Sequence, residues 1–270
     1  METNFESIQI LSESADWICV HKPALMLSVP SRDLKEAKPV LGLILQKQLG
    51  YQIYPVHRLD YEVSGLLIFA KNKKYQSVLN IEFENHTAQK SYVALTSQPT
   101  SETLSPQAQK NFDQVYEKLP QNFETVSEFN WTCNLVRGKR RAFEAEYGKQ
   151  AITTAKCIGT WIKAQRSESE HQNKHQNKHQ ILSSIEGYFS RFLHSPEVEQ
   201  KVFAWLLSPR TGRSHQLRYE MYRHGCPILG DELYGYHSKT EARLPEARLK
   251  GIALCHFQIE LKSLGVLKLF

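Results

Sequence analysis

The 270-residue chain has no apolar run near the roughly 18 residues that a membrane-spanning helix needs. Its first ten residues, METNFESIQI, carry neither the basic start nor the apolar stretch of a secretion signal. A cytoplasmic, unanchored protein is expected. Cysteine is sparse: Cys19, Cys133, Cys157, Cys226 and Cys255 are scattered, without a CxxC pair and odd in number. That pattern argues against both a disulfide framework and a thiolate zinc site, and predicts five small core hydrophobes. Acidic residues are outnumbered, 28 against 34 lysines and arginines, so the net charge of +6 suits a polyanionic partner without specifying one.

What is present describes a globular chain, 41% hydrophobic and 23% charged, with no boundary strong enough to cut it. A single domain over 1–270 is therefore expected. A strand is predicted over Trp17–Val20, then an extended piece ending at Pro30, then a helix in PVLGLILQKQLG stopped by Gly50. GLLIFAK reads as a fully buried strand and NKKYQSVLNIEF as a helix facing inward through Tyr75, Val78, Leu79 and Phe83. KSYVAL and GKQAITTAKCIGTWIKAQ read as strands. Residues 97–130 hold three prolines and weak periodicity, which predicts short elements and little core. KVFAWLLSPRTGRSHQLRYEMYRHG reads as strand, turn and short helix, with Ser214 as N-cap and Gly225 as stop. Cys255, Phe257, Ile259 and Leu261 alternate with His256, Gln258 and Glu260 as in a half-buried strand. Strands and helices without a βαβ rhythm predict an α+β fold on a largely antiparallel sheet.

SESEHQNKHQNKHQ is low in complexity, and 167–184 is expected to be an insertion loop. His171, His175 and His179 recur every four residues, yet no thiolate or carboxylate lies at ligand spacing, so no metal site is expected.

Positive charge is clustered. RGKRR holds Arg137, Lys139, Arg140 and Arg141, and SPRTGRSHQLRYEMYRH holds Arg210, Arg213, Arg218 and Arg223. Either cluster suits a phosphate backbone. The most telling stretch is YPVHRLDYEVSGLLIFAKN, where His57, Arg58 and Asp60 precede the buried run. A carboxylate there needs a cation or hydrogen bonds to stay ionised. Arg58 is the near candidate, and Arg218 is the other, carried inward by its neighbour Leu217.

PVHRLDYEVSGLLIFAK, the KSY at Lys90–Tyr92 and TGRSHQLRYEMYRHGCPILGDELYG resemble the three signature blocks of the RluA family of pseudouridine synthases, in order and at similar spacing. VHKPALMLSVP resembles that family's N-terminal KPxGLxxxP element, and GKQAITTAKCIG its GKxAxT strand. The LSVP and HPILGD-like turns are closer to the RluA branch than to the TruC branch, and no S4-type domain precedes the core.

The resemblance implies a bent, mainly antiparallel mixed sheet flanked by helices, with an RNA-binding cleft and no cofactor. It implies breakage of a uridine's N1–C1′ bond, rotation of the base and rejoining through C5. Asp60 matches the catalytic aspartate, as C1′ nucleophile or C2′ base, and Tyr92 the tyrosine on the flipped base. Arg218 matches the aspartate's partner, Leu217 the apolar residue under the base, and Arg58 the arginine that fills the vacated stack. His57, Arg213 and His215, in the same blocks, are expected to bind substrate. The implied partner is ribosomal or transfer RNA, met by a monomer.

Three departures stand out. Val63 replaces a usual Thr, Tyr219–Glu220 replaces VH, and Cys255–His256 replaces His-Ala. Glu220 would repel phosphate if it faced the cleft. Two other classes were weighed. An idle RNA-binding protein is disfavoured by retention of Asp60, Tyr92 and Arg218 together. A glycosidase would need a second carboxylate, for which only Glu62 is near.

Overall fold

The computed structural model describes residues 7–31, 38–97, 106–119, 126–162, 176–193, 201–235 and 251–270. The chain divides into two compact units, Met1–Ser91 with Cys255–Leu269 and Tyr92–Leu254 with Phe270.

The first unit opens with the antiparallel pair β1 (Ile10–Glu13) and β2 (Trp17–Lys22), followed by helix α1 (Leu41–Leu49). Gly50 ends α1 in the left-handed conformation, as its sequence predicts. After the two-residue β3 (Tyr54–Pro55) comes β4 (Ser64–Ala70), every residue of which is buried. Helix α2 (Lys73–Glu84) starts from Asn72, whose side chain accepts the Tyr75 N–H at 2.8 Å. Leu79 is buried, with Tyr75 and Phe83 packed beside it, but Val78 is exposed, so the inward face is narrower than its spacing suggested.

β5 (Gln89–Ser97) carries the chain into the second unit, which adds α3 (Pro106–Tyr116), β6 (Ser127–Arg137), β7 (Ala142–Glu144), β8 (Lys149–Ile162), α4 (Gln176–Tyr188), α5 (Ser190–Leu193), β9 (Lys201–Pro209) and α6 (Gln216–Arg223). Its strands run in the order β5-β9-β8-β6-β7, all antiparallel. The core there includes Trp205, whose ring lies tilted against Trp131 at 5.9 Å and whose indole N–H donates to Thr96 Oγ1 at 2.9 Å. Two expectations need correction. The stretch 97–130 supplies an 11-residue helix and buries Val115 and Leu119. The loop expected over 167–184 is helical from Gln176 and buries Ile185 one residue beyond it; 167–175 lie outside the described residues.

The chain returns to the first unit as β10 (Leu254–Leu261) and β11 (Gly265–Lys268). β10 joins β4 in parallel through Cys255↔Ser64 and His256↔Gly65, while β2 flanks β4 on its other edge in antiparallel register. Gly65 has φ +118°, and a Cβ there would lie 2.2 Å from the His256 carbonyl oxygen, so only glycine fits the crossing. Alternation fails at the start of β10: His256 is fully buried, because this end of the strand is covered on both faces. All five cysteines are buried, and none forms a disulfide. No described helix is long and apolar enough to cross a membrane.

Candidate active site

In the first unit the turn between β3 and β4 presents His57, Arg58 and Asp60. Its backbone is fixed from two sides. Ser28 Oγ donates to the Leu59 carbonyl and accepts the Leu59 N–H, both at 3.0 Å. Lys22, fully buried, donates through Nζ to the carbonyls of Pro23, Tyr61 and Val63 at 3.0, 3.3 and 2.7 Å. Three acceptors match the three donors of an ammonium. Burial pushes the Lys22 pKa down to about 7, opposed by the nearby carboxylates of Asp60 and Glu62. The Val63 N–H closes the turn on the Asp60 carbonyl at 3.2 Å, so Asp60 sits half-buried on a segment clamped at both ends.

Arg58 is exposed. His57 points elsewhere. Its Nε2 accepts the Ile68 N–H at 3.1 Å, and its ring stacks on Phe83 at 5.0 Å and meets His256 edge-on at 5.6 Å. Burial, with His256 and Lys90 adding repulsion, holds its pKa well below the ordinary histidine value, so the ring is neutral and carries its proton on Nδ1. His256 lies with Nδ1 2.8 Å from the Leu66 carbonyl, and burial lowers its pKa to about 4. Both imidazoles thus brace β4.

In the second unit the site residues gather at the start of α6. The helix is entered through His215, which is left-handed at φ 55° and occupies the N-cap position expected of Ser214. Gln216 fixes the turn before the helix: its Oε1 takes the Arg213 N–H at 3.0 Å and the Thr211 hydroxyl at 2.8 Å. Its Nε2 donates to the Ile152 carbonyl at 3.1 Å and to Thr153 Oγ1 at 3.0 Å, tying α6 to β8. Arg213 Nε donates to the Gln150 carbonyl at 2.9 Å. At the other end, Gly225 N–H bonds to Tyr222 and Cys226 N–H to Met221, a Schellman closure with Gly225 just past the His224 cap. Leu217 is buried and Tyr92 is half-buried opposite Leu207 on β5.

Arg218 is buried, and the structure supplies a partner that sequence reasoning missed. Nε donates to Asp231 Oδ2 at 2.7 Å and Nη2 to Asp231 Oδ1 at 2.8 Å, a bidentate fork within one unit. Asp231 thus takes the Nε and Nη2 edge of the guanidinium. Asp231 Oδ1 also accepts the N–H groups of Leu233 and Tyr234 at 3.0 Å each, and the Tyr234 ring lies 5.5 Å from the guanidinium carbon. A signal existed: a Gly-Asp turn is where an aspartate binds backbone two and three residues on. Lys22 was legible only as part of HKP, since nothing in a sequence shows which lysine is buried.

Glu220 does not face solvent. It is fully buried and accepts the Thr153 hydroxyl proton, with Cys133 Sγ 4.0 Å away. Burial raises its pKa to about 7. Among the described residues no three His, Cys, Asp or Glu side chains gather as a metal cluster would; His171 and His175 lie outside them.

A family model described as RNA pseudouridylate synthase matches residues 16–223. The chain is 26% identical over 229 residues to the tRNA pseudouridine synthase C of Haemophilus ducreyi, covering 84% of this chain and 74% of that one. It is 28% identical over 226 residues to the dual-specificity RNA pseudouridine synthase RluA of Vibrio vulnificus, covering 84% and 68%. Among solved structures, human RNA pseudouridylate synthase domain containing 1 superimposes with a TM-score of 0.63 at 18% identity, covering 100% of this chain and 84% of that one, a likeness of fold.

Proposed function

Because the chain belongs to the RNA pseudouridylate synthase family, we propose that it isomerises a uridine in a stem-loop of large-subunit ribosomal RNA, transfer RNA or both, with Asp60 as the acting carboxylate. The observation that carries this reading is the clamped turn: Ser28 and Lys22 fix the backbone on either side of Asp60 while its side chain stays half-buried. Such preorganisation is what a group acting at one sugar carbon requires.

The reaction is balanced without any added reagent. The N1–C1′ bond breaks, the base turns, C5 bonds to C1′, and the C5 proton leaves as N1 gains one. Asp60 serves as C1′ nucleophile or C2′ base, and either role needs it ionised. Lys22, near enough to interact electrostatically with Asp60, favours that state while protonated. Tyr92 is the candidate acceptor of the C5 proton, and Arg218, oriented by Asp231, supplies a fixed cation. Arg58, being exposed, suits the stack left by the flipped base. Leu217, Arg213, His215 and His57 complete the substrate surface, His57 by holding β4 rather than by touching RNA. No cofactor or metal takes part, and the enzyme works as a cytoplasmic monomer with one catalytic domain.

Two relatives with different printed specificities, one for tRNA and one dual, support leaving both RNA classes open. The test is tritium release from C5-tritiated total RNA of a strain lacking the protein, followed by mapping of the altered position. Release without free uracil is expected. Release of free uracil would mean a hydrolase, and no release from any RNA would overturn the proposal.

A further inference from the structure

The basic cluster of the β6–β7 hairpin remains without a role. We propose that this hairpin, through Lys139 and Arg140 with Arg137 beside them, is a second RNA-backbone contact that grips phosphates of the substrate. This rests on the pseudouridine synthase reading and names a part of the substrate surface outside the signature blocks.

The hairpin differs from a merely solvated loop in three ways. First, Arg137, Lys139 and Arg140 are all exposed, and among the described residues no ion pair involves them. Their charges are therefore available at the surface. Second, exposed aromatics follow them closely in the chain: Phe143 is 42% and Tyr147 78% accessible. Exposed rings near cations offer faces on which bases can stack while the cations meet phosphate. Third, the hairpin is anchored rather than free. Arg141 lies over the rings of Tyr234 at 4.9 Å and Tyr222 at 5.4 Å. Tyr234 Oη accepts the Ala142 N–H at 2.6 Å and lies 3.2 Å from His215 Nδ1.

Tyr234 is thus a common post. Its ring lies near the guanidinium groups of both Arg218 and Arg141, and its hydroxyl meets His215 and the Ala142 N–H of the hairpin. The phosphate-binding cations are held in fixed register with the residues at the start of α6. A rigid offset between two contact points lets the protein measure distance along a folded RNA. Arg141 is left out of the phosphate set, because its guanidinium is spent on the two rings. Two acids, Glu144 and Glu146, lie near; Glu144 is drawn toward Arg223 at 3.4 Å, leaving the tip positive.

The competing account is that β7, last in the strand order, uses these charges to keep its edge from pairing with another chain. The experiment separates them. The double variant Lys139→Ala/Arg140→Ala is compared with wild type and with Lys73→Ala/Lys74→Ala, which removes the same charge from exposed positions on α2 of the other unit. Binding of total transfer RNA is titrated across a salt series, and tritium release is measured on the same RNA. The hairpin variant should raise Kd and KM roughly tenfold, and its log Kd against log salt slope should fall by about 2, one for each cation lost. Its melting temperature should not move. The α2 control should change Kd less than about twofold. Equal slopes for the two double variants would overturn the inference, and self-association of the hairpin variant with unchanged RNA binding would assign the charges to edge protection. A wild type that binds RNA but releases no tritium would instead overturn the isomerase reading and leave the hairpin result standing.

Discussion

Arg218 and Arg58 carry the same charge in opposite surroundings, and the contrast sets what their replacement should do. Arg218 is buried against Asp231 through two parallel hydrogen bonds, so Arg218→Lys replaces a planar fork with a single point donor and strands one carboxylate oxygen. Removing a partner from a buried pair costs about 3 to 5 kcal/mol, of which lysine recovers only part. Asp231→Ala should lower the melting temperature by a similar amount although it touches no reacting atom. Arg58→Ala should leave the melting temperature unchanged and reduce turnover, since Arg58 is exposed. Melting of the three variants without RNA decides it: a large drop for Arg58→Ala alone would exchange the two roles.

Glu220 gives a pH dependence whose sign is fixed by its burial. Its pKa rises from 4.5 to about 7, so the folded state binds the extra proton between those values and stability falls as pH rises through them. By that shift, charging the buried carboxyl costs up to ~3 kcal/mol. His256 and His224 act oppositely: burial lowers both from 6.5 to about 4, so their contribution is present above 6.5 and is lost on acidification. The raw melting profile mixes these terms. The difference between Glu220→Gln and wild type isolates one of them, and it should favour the variant at pH 8 and shrink toward zero at pH 5. A difference independent of pH would show that Glu220 does not titrate in this range.

At the scale of elements, the strands with continuous apolar runs were legible and the residues that join them were not. Leu66 to Ala70 read as a buried strand because nothing in the run could face water, and the strand is buried throughout. α1 and its Gly50 stop were equally plain. His256 was assigned to a solvent face because it alternates with apolar neighbours; β4 and the His57 ring cover it instead, a tertiary fact invisible in one strand's pattern. Glu220, for which the sequence left open whether it faced a cleft, is likewise buried, against Thr153. The cap position falls at His215 rather than Ser214, and Gln216, inside the helix, ties down the turn before it. Gly65 exposes the cost of the β4–β10 crossing. Gly65→Ala must push a methyl group into the His256 carbonyl at an unfavourable φ, and should destabilise by at least ~2 kcal/mol in chemical denaturation. A variant within experimental error of wild type would mean that the two strands separate there easily.

For the molecule as a whole, the largely antiparallel α+β architecture followed from the absence of a βαβ rhythm, and the family followed from three short blocks that carry almost all the candidate site residues. Composition gave only permission, since a net charge of +6 fits many partners. A carboxylate ahead of a buried strand was legible at Asp60, whereas the supports were illegible at Lys22 and Asp231, which hold Asp60's turn and Arg218. Lys22→Met tests that support: three carbonyls lose their donor, so the melting temperature should fall and kcat should fall with it, while RNA affinity holds. Unchanged kcat would free the turn from dependence on Lys22.

The central claim is that Asp60 performs the isomerisation, and one comparison addresses it most directly. Wild type and Asp60→Asn, matched by melting temperature and by affinity for the same C5-tritiated RNA, are assayed for tritium release in a single turnover with enzyme in excess. The account predicts release by wild type and none by Asp60→Asn, with RNA affinity within a few-fold because about one charge has changed in a basic surface. Release by Asp60→Asn at a rate near that of wild type would contradict it.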